Sequence, residues 1–316
     1  MEENDVAIKA IIDNALKEAN DLVDKNERKE KRDRAMALAR MYDREDKVIP
    51  LAELAERIRN EPPRTAYLTG FENLDRITGG FREEQLVIIA AARKSGKTSI
   101  SLAMTRNMTA YKPLWFSYEQ SFDELVGNWI EQGREMGIPD EQTIKSMPVC
   151  FVPNKLETDR AKVLHWIECR LVESIAKYNS KVVFIDHLHY LVNLSSTTLA
   201  NEMRIITQKL KSMAKKWKVV FIVMAHVNKQ ARLDTPPTTD DIADASAVAQ
   251  EADIVMMLWR KAQRENGNLV FFNELSVNVQ ANRRTGKTGV AEFDYKDGWY
   301  HEKEINGFTQ TAYETA

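Results

Sequence analysis

The sequence predicts an α/β protein with a mainly parallel central sheet, antiparallel strands added at its C-terminal end, and a short helical N-terminal extension. Three observations carry this prediction. From about residue 64 onward, apolar segments of strand length alternate with helical segments, the pattern of a parallel sheet covered on both faces. A phosphate-loop motif stands between the first of these strands and a helix. Further on, the pattern changes to short strands joined by glycine-containing turns, which reads as antiparallel additions at a sheet edge.

The elements follow in chain order. Residues 6–24 read as an amphipathic helix with Ile8, Ile12, Ala15, Ala19 and Leu22 on one side. Residues 25–46 alternate in charge (KNERKEKRDR) and are expected to be solvated helix or partly disordered. A second helix is expected over 50–59, opened by Pro50, carrying Leu51, Leu54 and Ile58, and ended by Pro62 and Pro63. The boundary between an extension (1–63) and the main domain (64–316) is placed there. Strands are expected at 86–91, 113–117, 149–152, 181–186, 219–225 and 253–258. The clearest helix is 199–217, where Leu199, Met203, Ile206, Leu210, Met213 and Trp217 recur at steps of three and four. Segments 269–281, 289–295 and 298–302 are the expected antiparallel strands.

Composition narrows the class. The 316 residues suffice for one large α/β domain and a small extension. A net charge of −2 argues against a uniformly basic protein that coats nucleic acid, yet allows basic residues gathered on one surface. No apolar run approaches the roughly 20 residues needed to span a bilayer, and the acidic N-terminus is unlike a signal peptide. No membrane association and a cytoplasmic location are therefore expected. Cys150 and Cys169 offer neither a disulfide framework nor a zinc cluster, and both are expected to be buried, inert thiols.

The sharpest motif is Ala91-Ala92-Arg93-Lys94-Ser95-Gly96-Lys97-Thr98, with Ser99 next, between the strand QLVIIA and the helical segment SISLAMTRNM. Gly96 lets the backbone curl so that successive N–H groups face phosphate oxygens, and the helix N-terminus adds its positive end. Lys97 is expected to reach the β- and γ-phosphates, and Thr98 to ligate Mg²⁺. Ala91 stands where the loop's first glycine is usual, which is tolerable at negative φ. Strand KVVFID ends in Asp186, at the strand tip where ligands of parallel sheets bind. Asp186 is the expected Mg²⁺ partner, through water. Glu119 follows strand PLWFS and is assigned as the base that polarises an attacking water. His226, after strand 219–225, is the candidate that contacts the γ-phosphate and senses its loss.

Read together, these segments resemble the motor domain of DnaB-type replicative DNA helicases over about residues 65–302. The lead-in from Thr69 to Ala92 is similar to that family's entry to its phosphate loop. Phe116–Glu119 (FSYE) resembles the strand bearing its catalytic glutamate, and Val182–Leu191 (VVFIDHLHYL) its Mg²⁺-aspartate strand. NEMRIITQKLKSMAKKWKVVFIVMAHVNK resembles the helix and strand that lead to its γ-phosphate sensor. Asp241–Arg260 resembles its DNA-binding loop and the following strand. Asn282–Gly289 (NRRTGKTG) resembles the segment that supplies an arginine to the neighbouring subunit's ATP. The sequence departs from the family at Ala91, at the sensor (Ala-His for Ser-Gln), at Ala243 and Ser246 (Arg and Gly typical), and at Asn282 (Lys typical).

The resemblance implies a RecA-like P-loop NTPase that uses ATP and Mg²⁺, assembles as a homo-oligomeric ring, by analogy a hexamer, and translocates on single-stranded DNA. Lys97, Thr98, Asp186 and Glu119 would act in cis, and Arg284 or Arg283 in trans. DNA contacts are expected from Lys229, Arg232, Asp244 and Ser246, with loop 187–200 as a second candidate. A primase, polymerase or helicase loader are the implied partners. The family's N-terminal helical domain would be replaced by residues 1–63, a reduced architecture that points to a phage or mobile element. The helix at 50–59 either docks on an adjacent subunit or packs on its own domain. The competing readings are a RecA-fold ATP-dependent switch and a strand-exchange recombinase, neither of which unwinds DNA.

Overall fold

The structure is a computed structural model. It describes residues 29, 31–36, 50–60, 65–92, 95–145, 150–151, 159, 162–192, 199–227, 235–241, 246–265, 268–296 and 299–304. The expected helix at 6–24 lies outside these residues. Within the charged run, residues 31–36 are helical and Ala35 is buried. Helix α1 (Leu51–Asn60) forms where Pro50 predicts it. Its apolar residues face solvent: Leu51 is 80%, Leu54 39% and Ile58 60% exposed.

The sheet of the described residues has nine strands in the order β3-β2-β4-β5-β1-β6-β7-β8-β9. These are β1 (Leu86–Ala91), β2 (Leu114–Ser117), β3 (Cys150–Phe151), β4 (Val182–Asp186), β5 (Val220–His226), β6 (Ile254–Glu265), β7 (Asn268–Asn282), β8 (Gly289–Lys296) and β9 (Trp299–Glu302). The first six pair in parallel and the rest are antiparallel. This is the mainly parallel α/β sheet with C-terminal antiparallel strands that the sequence predicts. One element differs in length. The apolar run 253–258 continues to Glu265 through the polar segment WRKAQRE. Beyond Arg260 this segment pairs with β7 as a ribbon, and a ribbon without a core on it carries no apolar pattern to read.

Helices cover both faces. Helix α2 (Glu72–Thr78) precedes β1, and between the strands lie α3 (Lys97–Asn107), α4 (Phe122–Glu135), α5 (Asp140–Lys145), α6 (Val163–Tyr178), α7 (Leu199–Trp217) and α8 (Ser246–Glu251). Alternation along β1 sorts the core into two layers. Leu86, Ile88 and Ala90 join Ile167, Leu171, Leu210 and Trp217 of α6 and α7. Val87, Ile89 and Ala91 join Ile100 and Met104 of α3, with Trp115, Trp129 and Phe293. Trp115 stacks on Phe184, ring centroids 4.8 Å apart and 9° between planes, which locks β2 against β4 on that face. Cys169 is buried, and burial raises its thiol pKa; the side chain of Cys150 lies outside what is described. No helix among the described residues is long and apolar enough to cross a membrane.

Candidate active site

The parallel strands end together, and their register decides what meets there. Ala91 lies opposite His226, and Ser117 opposite Asp186. Neighbouring strands sit about 4.8 Å apart, so the loops after β2, β4 and β1 and the end of β5 converge on one crevice at the carboxyl edge, where ligands of such sheets bind.

The phosphate-loop segment runs from β1 into α3. Ala91 is the buried last residue of β1 and is not among the positive-φ residues; at this position a methyl group is accommodated without strain. Ala92 follows it, and Arg93 and Lys94 lie outside the described residues. Ser95 is buried. Gly96 has φ +83°, and an added Cβ would stand 2.6 Å from the Tyr300 hydroxyl, so both conformation and space call for glycine. Ser99 hydrogen-bonds Tyr300 from the first turn of α3. Lys97, also buried, turns its ammonium back. Nζ donates to the carbonyls of Ala91 and Ala92, both at 3.2 Å, and lies 3.0 Å from His226 Nδ1. An ammonium has only donors, so His226 Nδ1 accepts and its proton resides on Nε2.

The carboxylates come from the next two strands. Thr98 Oγ1 donates to Asp186 Oδ2 at 2.8 Å. Asp186 is fully buried, and its other oxygen, Oδ1, has no hydrogen-bond partner among the described residues. Burial pushes its carboxyl up to about 6, with Glu119 acting in the same sense; the Thr98 hydrogen bond and Lys97 pull it down. A buried carboxylate with such an oxygen beside a hydroxyl is a donor set suited to a small hard cation. Glu119 is reached by a tight turn. Ser117 Oγ donates to the Gln120 carbonyl at 2.7 Å, and Ser121 caps α4 in a reciprocal capping box with Glu124. The Glu119 side chain is 43% exposed, with Oε2 3.7 Å from His187 Nε2 and 4.0 Å from His226 Nε2.

Gly96, Lys97, Thr98, Glu119 and His226 open on a cavity of about 690 Å³, lined also by Arg260, Asn273, Glu274, Tyr295 and Tyr300. The sequence reading missed this second wall. It is built from β6 to β9, whose cavity-facing residues are single polar positions within alternating strands. Arg260 is oriented by its Nε donating to the Phe272 carbonyl at 2.8 Å. Hydrogen bonds from Lys261 and Lys303 hold the Glu274 carboxyl down to about 2. Burial pushes Tyr300 up to about 12, so its phenol stays a neutral donor. His187 was missed as well, although it follows Asp186 directly in sequence.

Arg283 and Arg284 are not part of this crevice. They follow β7, whose last residue, Asn282, pairs with Ile254 at the start of β6. Ile254 in turn pairs with Val87, near the start of β1. The arginines therefore sit at the opposite edge of the sheet from their own phosphate loop, a separation on the order of 15–20 Å at about 3.3 Å per residue. Arg284 donates to the carbonyls of Thr78 (3.1 Å) and Gly79 (3.2 Å), and Arg283 to that of Gln250. Burial and nearby Arg82 lower the Arg284 pKa. Lys229, Arg232 and Asp244 lie outside the described residues, as do residues 193–198 of the second candidate loop; Ser246 is the first residue of α8.

The DnaB-like helicase C terminal domain family matches residues 67–302. The chain belongs to this family. A curated relative, the replicative DNA helicase DnaB of Buchnera aphidicola subsp. Baizongia pistaciae, is 26% identical over 289 residues, which are 84% of this chain and 61% of that protein. The chain thus spans less than two thirds of the length of the helicase it matches. A solved structure of an ATPase domain aligns with a TM-score of 0.64 at 21% identity, covering 80% of this chain and 97% of that one. A DnaB-like replicative helicase, described with its interactions with primase, aligns with a TM-score of 0.65 at 20% identity, covering 94% and 75%. These likenesses bear out the RecA-like fold.

Proposed function

We propose that the chain is an ATP-hydrolysing DNA helicase motor that assembles as a ring, by family analogy a hexamer, and translocates on single-stranded DNA. The observation that carries this reading is the convergence of Lys97, Thr98, Glu119, Asp186 and His226 at one edge of the sheet, with two arginines at the other edge in a member of the DnaB-like family.

The geometry supports the following division of work. On ATP binding, Lys97 exchanges its hydrogen bonds to Ala91, Ala92 and His226 for phosphate oxygens. Mg²⁺ would be held by Thr98 and Asp186 and would neutralise charge on the β- and γ-phosphates. Glu119, exposed to the cavity, accepts a proton from the attacking water. His226 senses the γ-phosphate through Nε2. The nucleoside end extends toward Arg260, Tyr295 and Tyr300. Arg284, or Arg283, is too far from its own site and acts on the ATP of a neighbouring subunit, where such an arginine contributes roughly 10³–10⁵ in rate. The exposed apolar stripe of α1 supports docking on that neighbour. Lys229, Arg232 and Ser246 are the proposed DNA contacts. A primase is the proposed partner, since a structural relative was studied with one. The chain acts in the cytoplasm, in that of the host if it is phage-encoded.

The test is ATP hydrolysis with and without single-stranded DNA, alongside unwinding of a forked duplex. Stimulation by DNA and an opened fork support the helicase. Hydrolysis that DNA neither stimulates nor converts to unwinding overturns it in favour of a switch.

A further inference from the structure

We propose that Glu119, His187 and His226 form a binding site for one first-row transition-metal cation, separate from the Thr98–Asp186 position, and that this site opens when Lys97 leaves His226. The three residues offer one carboxylate oxygen and two imidazole nitrogens, all within 4.8 Å of one another. The gaps from Glu119 Oε2 to His187 Nε2 and His226 Nε2, 3.7 and 4.0 Å, are too long for hydrogen bonds. They are close to the spacing of two ligands on one ion: bonds of about 2.0–2.2 Å in tetrahedral geometry put neighbouring donors about 3.4 Å apart. Closing the set needs small side-chain rotations, the freest being that of Glu119, which lines the cavity and is 43% exposed. The histidines are already held. Their ring centroids are 4.2 Å apart, and His187 also packs on Tyr190 at 4.7 Å.

Donor chemistry separates this site from the Mg²⁺ position. Imidazole nitrogen suits zinc and its neighbours, whereas Mg²⁺ takes oxygen ligands. Three protein donors, of which Glu119 and His226 line the cavity, leave a fourth coordination position open toward it. Lys97 controls access. While Lys97 donates to His226 Nδ1, Nε2 carries the proton and offers no lone pair to a metal. A metal on Nε2 requires the other tautomer, whose Nδ1–H would point at the ammonium. The two arrangements exclude each other, so whatever draws Lys97 away favours the metal. The consequence for turnover rests on the proposed ATPase reading: a metal-bound Glu119 is no longer available to the attacking water, and the cation inhibits.

The experiment is calorimetric titration of the full chain with Zn²⁺, without nucleotide, repeated with Co²⁺ to read coordination from its visible spectrum. One ion per chain is expected. Glu119→Gln, a solvent-exposed change, and His187→Gln should each weaken binding at least about tenfold, whereas Lys97→Ala should strengthen it. Zn²⁺ should inhibit hydrolysis in saturating Mg²⁺, and His187→Gln should relieve the inhibition, read as the ratio of its rates with and without Zn²⁺ against the same ratio in wild type. Absence of binding in wild type and in Lys97→Ala alike, or equal affinity in wild type and both Gln variants, overturns the site. Zn²⁺ binding with the expected variant pattern in a chain that hydrolyses no ATP upholds the site and overturns the ATPase reading instead.

Discussion

The two edges of the sheet are organised in contrasting ways. At the carboxyl edge, side chains from four segments touch one another: Thr98 bonds Asp186, Lys97 bonds His226, and Glu119 stands near both histidines. Each of these groups has a polar neighbour that a nucleotide could replace. At the amino edge, Arg283 and Arg284 bond backbone carbonyls, those of Gln250, Thr78 and Gly79. A guanidinium parked on carbonyls close to the surface keeps its charge available to an incoming anion, and among the described residues no carboxylate pairs with it there. The carboxyl edge thus gathers the groups around the cavity, Arg260 of its second wall among them, while the amino edge holds the two arginines of the proposed trans contact. A single chain cannot bring the two together; two copies can.

Substitutions at each edge test this division. The largest effect is expected at the carboxyl edge: Lys97→Ala should abolish steady-state ATP hydrolysis while the thermal transition stays close to that of wild type, because no apolar core is disturbed. Arg284→Ala should lower hydrolysis by about 10³-fold or more and leave nucleotide affinity, read by fluorescent-nucleotide titration, within a few-fold. The two inactive variants should complement. In a mixture, a site with intact Lys97 on one chain and intact Arg284 on the next forms at about a quarter of the interfaces of a random ring. Recovered hydrolysis sharpens the contrast between the edges. Silence of the mixture breaks it, and repeating the mixture with Arg283→Ala decides which arginine acts.

Smaller effects test how each edge is held. Asn282 is buried; its Nδ2 donates to the Thr78 carbonyl at 3.0 Å and its Oδ1 accepts from the Thr285 amide at 3.2 Å. Asn282→Ala should cost about 1–3 kcal/mol by denaturant unfolding. It should slow hydrolysis by the proposed ring without altering nucleotide affinity, since it loosens the hairpin rather than the phosphate loop.

The contrast between the edges also explains what the sequence made legible. Buried parallel strands are continuous apolar runs, so β1, β4 and β5 announce themselves, and the residues at their tips, Asp186 and His226, follow by position alone. Lys97 and Thr98 belong to a contiguous motif. The second wall of the cavity had no such signal: Arg260, Glu274, Tyr295 and Tyr300 meet through antiparallel pairings of residues far apart in sequence. His187 was hidden for another reason. Its importance comes from facing His226 across adjacent strands, and no spacing along the chain encodes that. The place of Arg283 and Arg284 in their segment was readable, but not their distance from their own phosphate loop, which depends on the register of β6 with β1 and β7.

The smallest expected effect concerns the turn that presents Glu119. The capping box at Ser121 satisfies two amide groups at the start of α4, one from its own side chain and one from Glu124. This fixes where the helix begins, and hence how few residues separate the end of β2 from α4. Ser121→Ala removes half of the box and should cost about 1 kcal/mol of stability. Its effect on hydrolysis should exceed its effect on folding, because Glu119 lies two residues before the cap and its carboxylate stands beyond hydrogen-bond reach of both His187 and His226. Ser121→Asp retains an acceptor for the Glu124 amide and should restore both stability and rate. If Ser121→Ala lowers stability but leaves the rate unchanged, Glu119 is positioned by the β2–β4 register alone, and the carboxyl edge is more rigid than its loops imply.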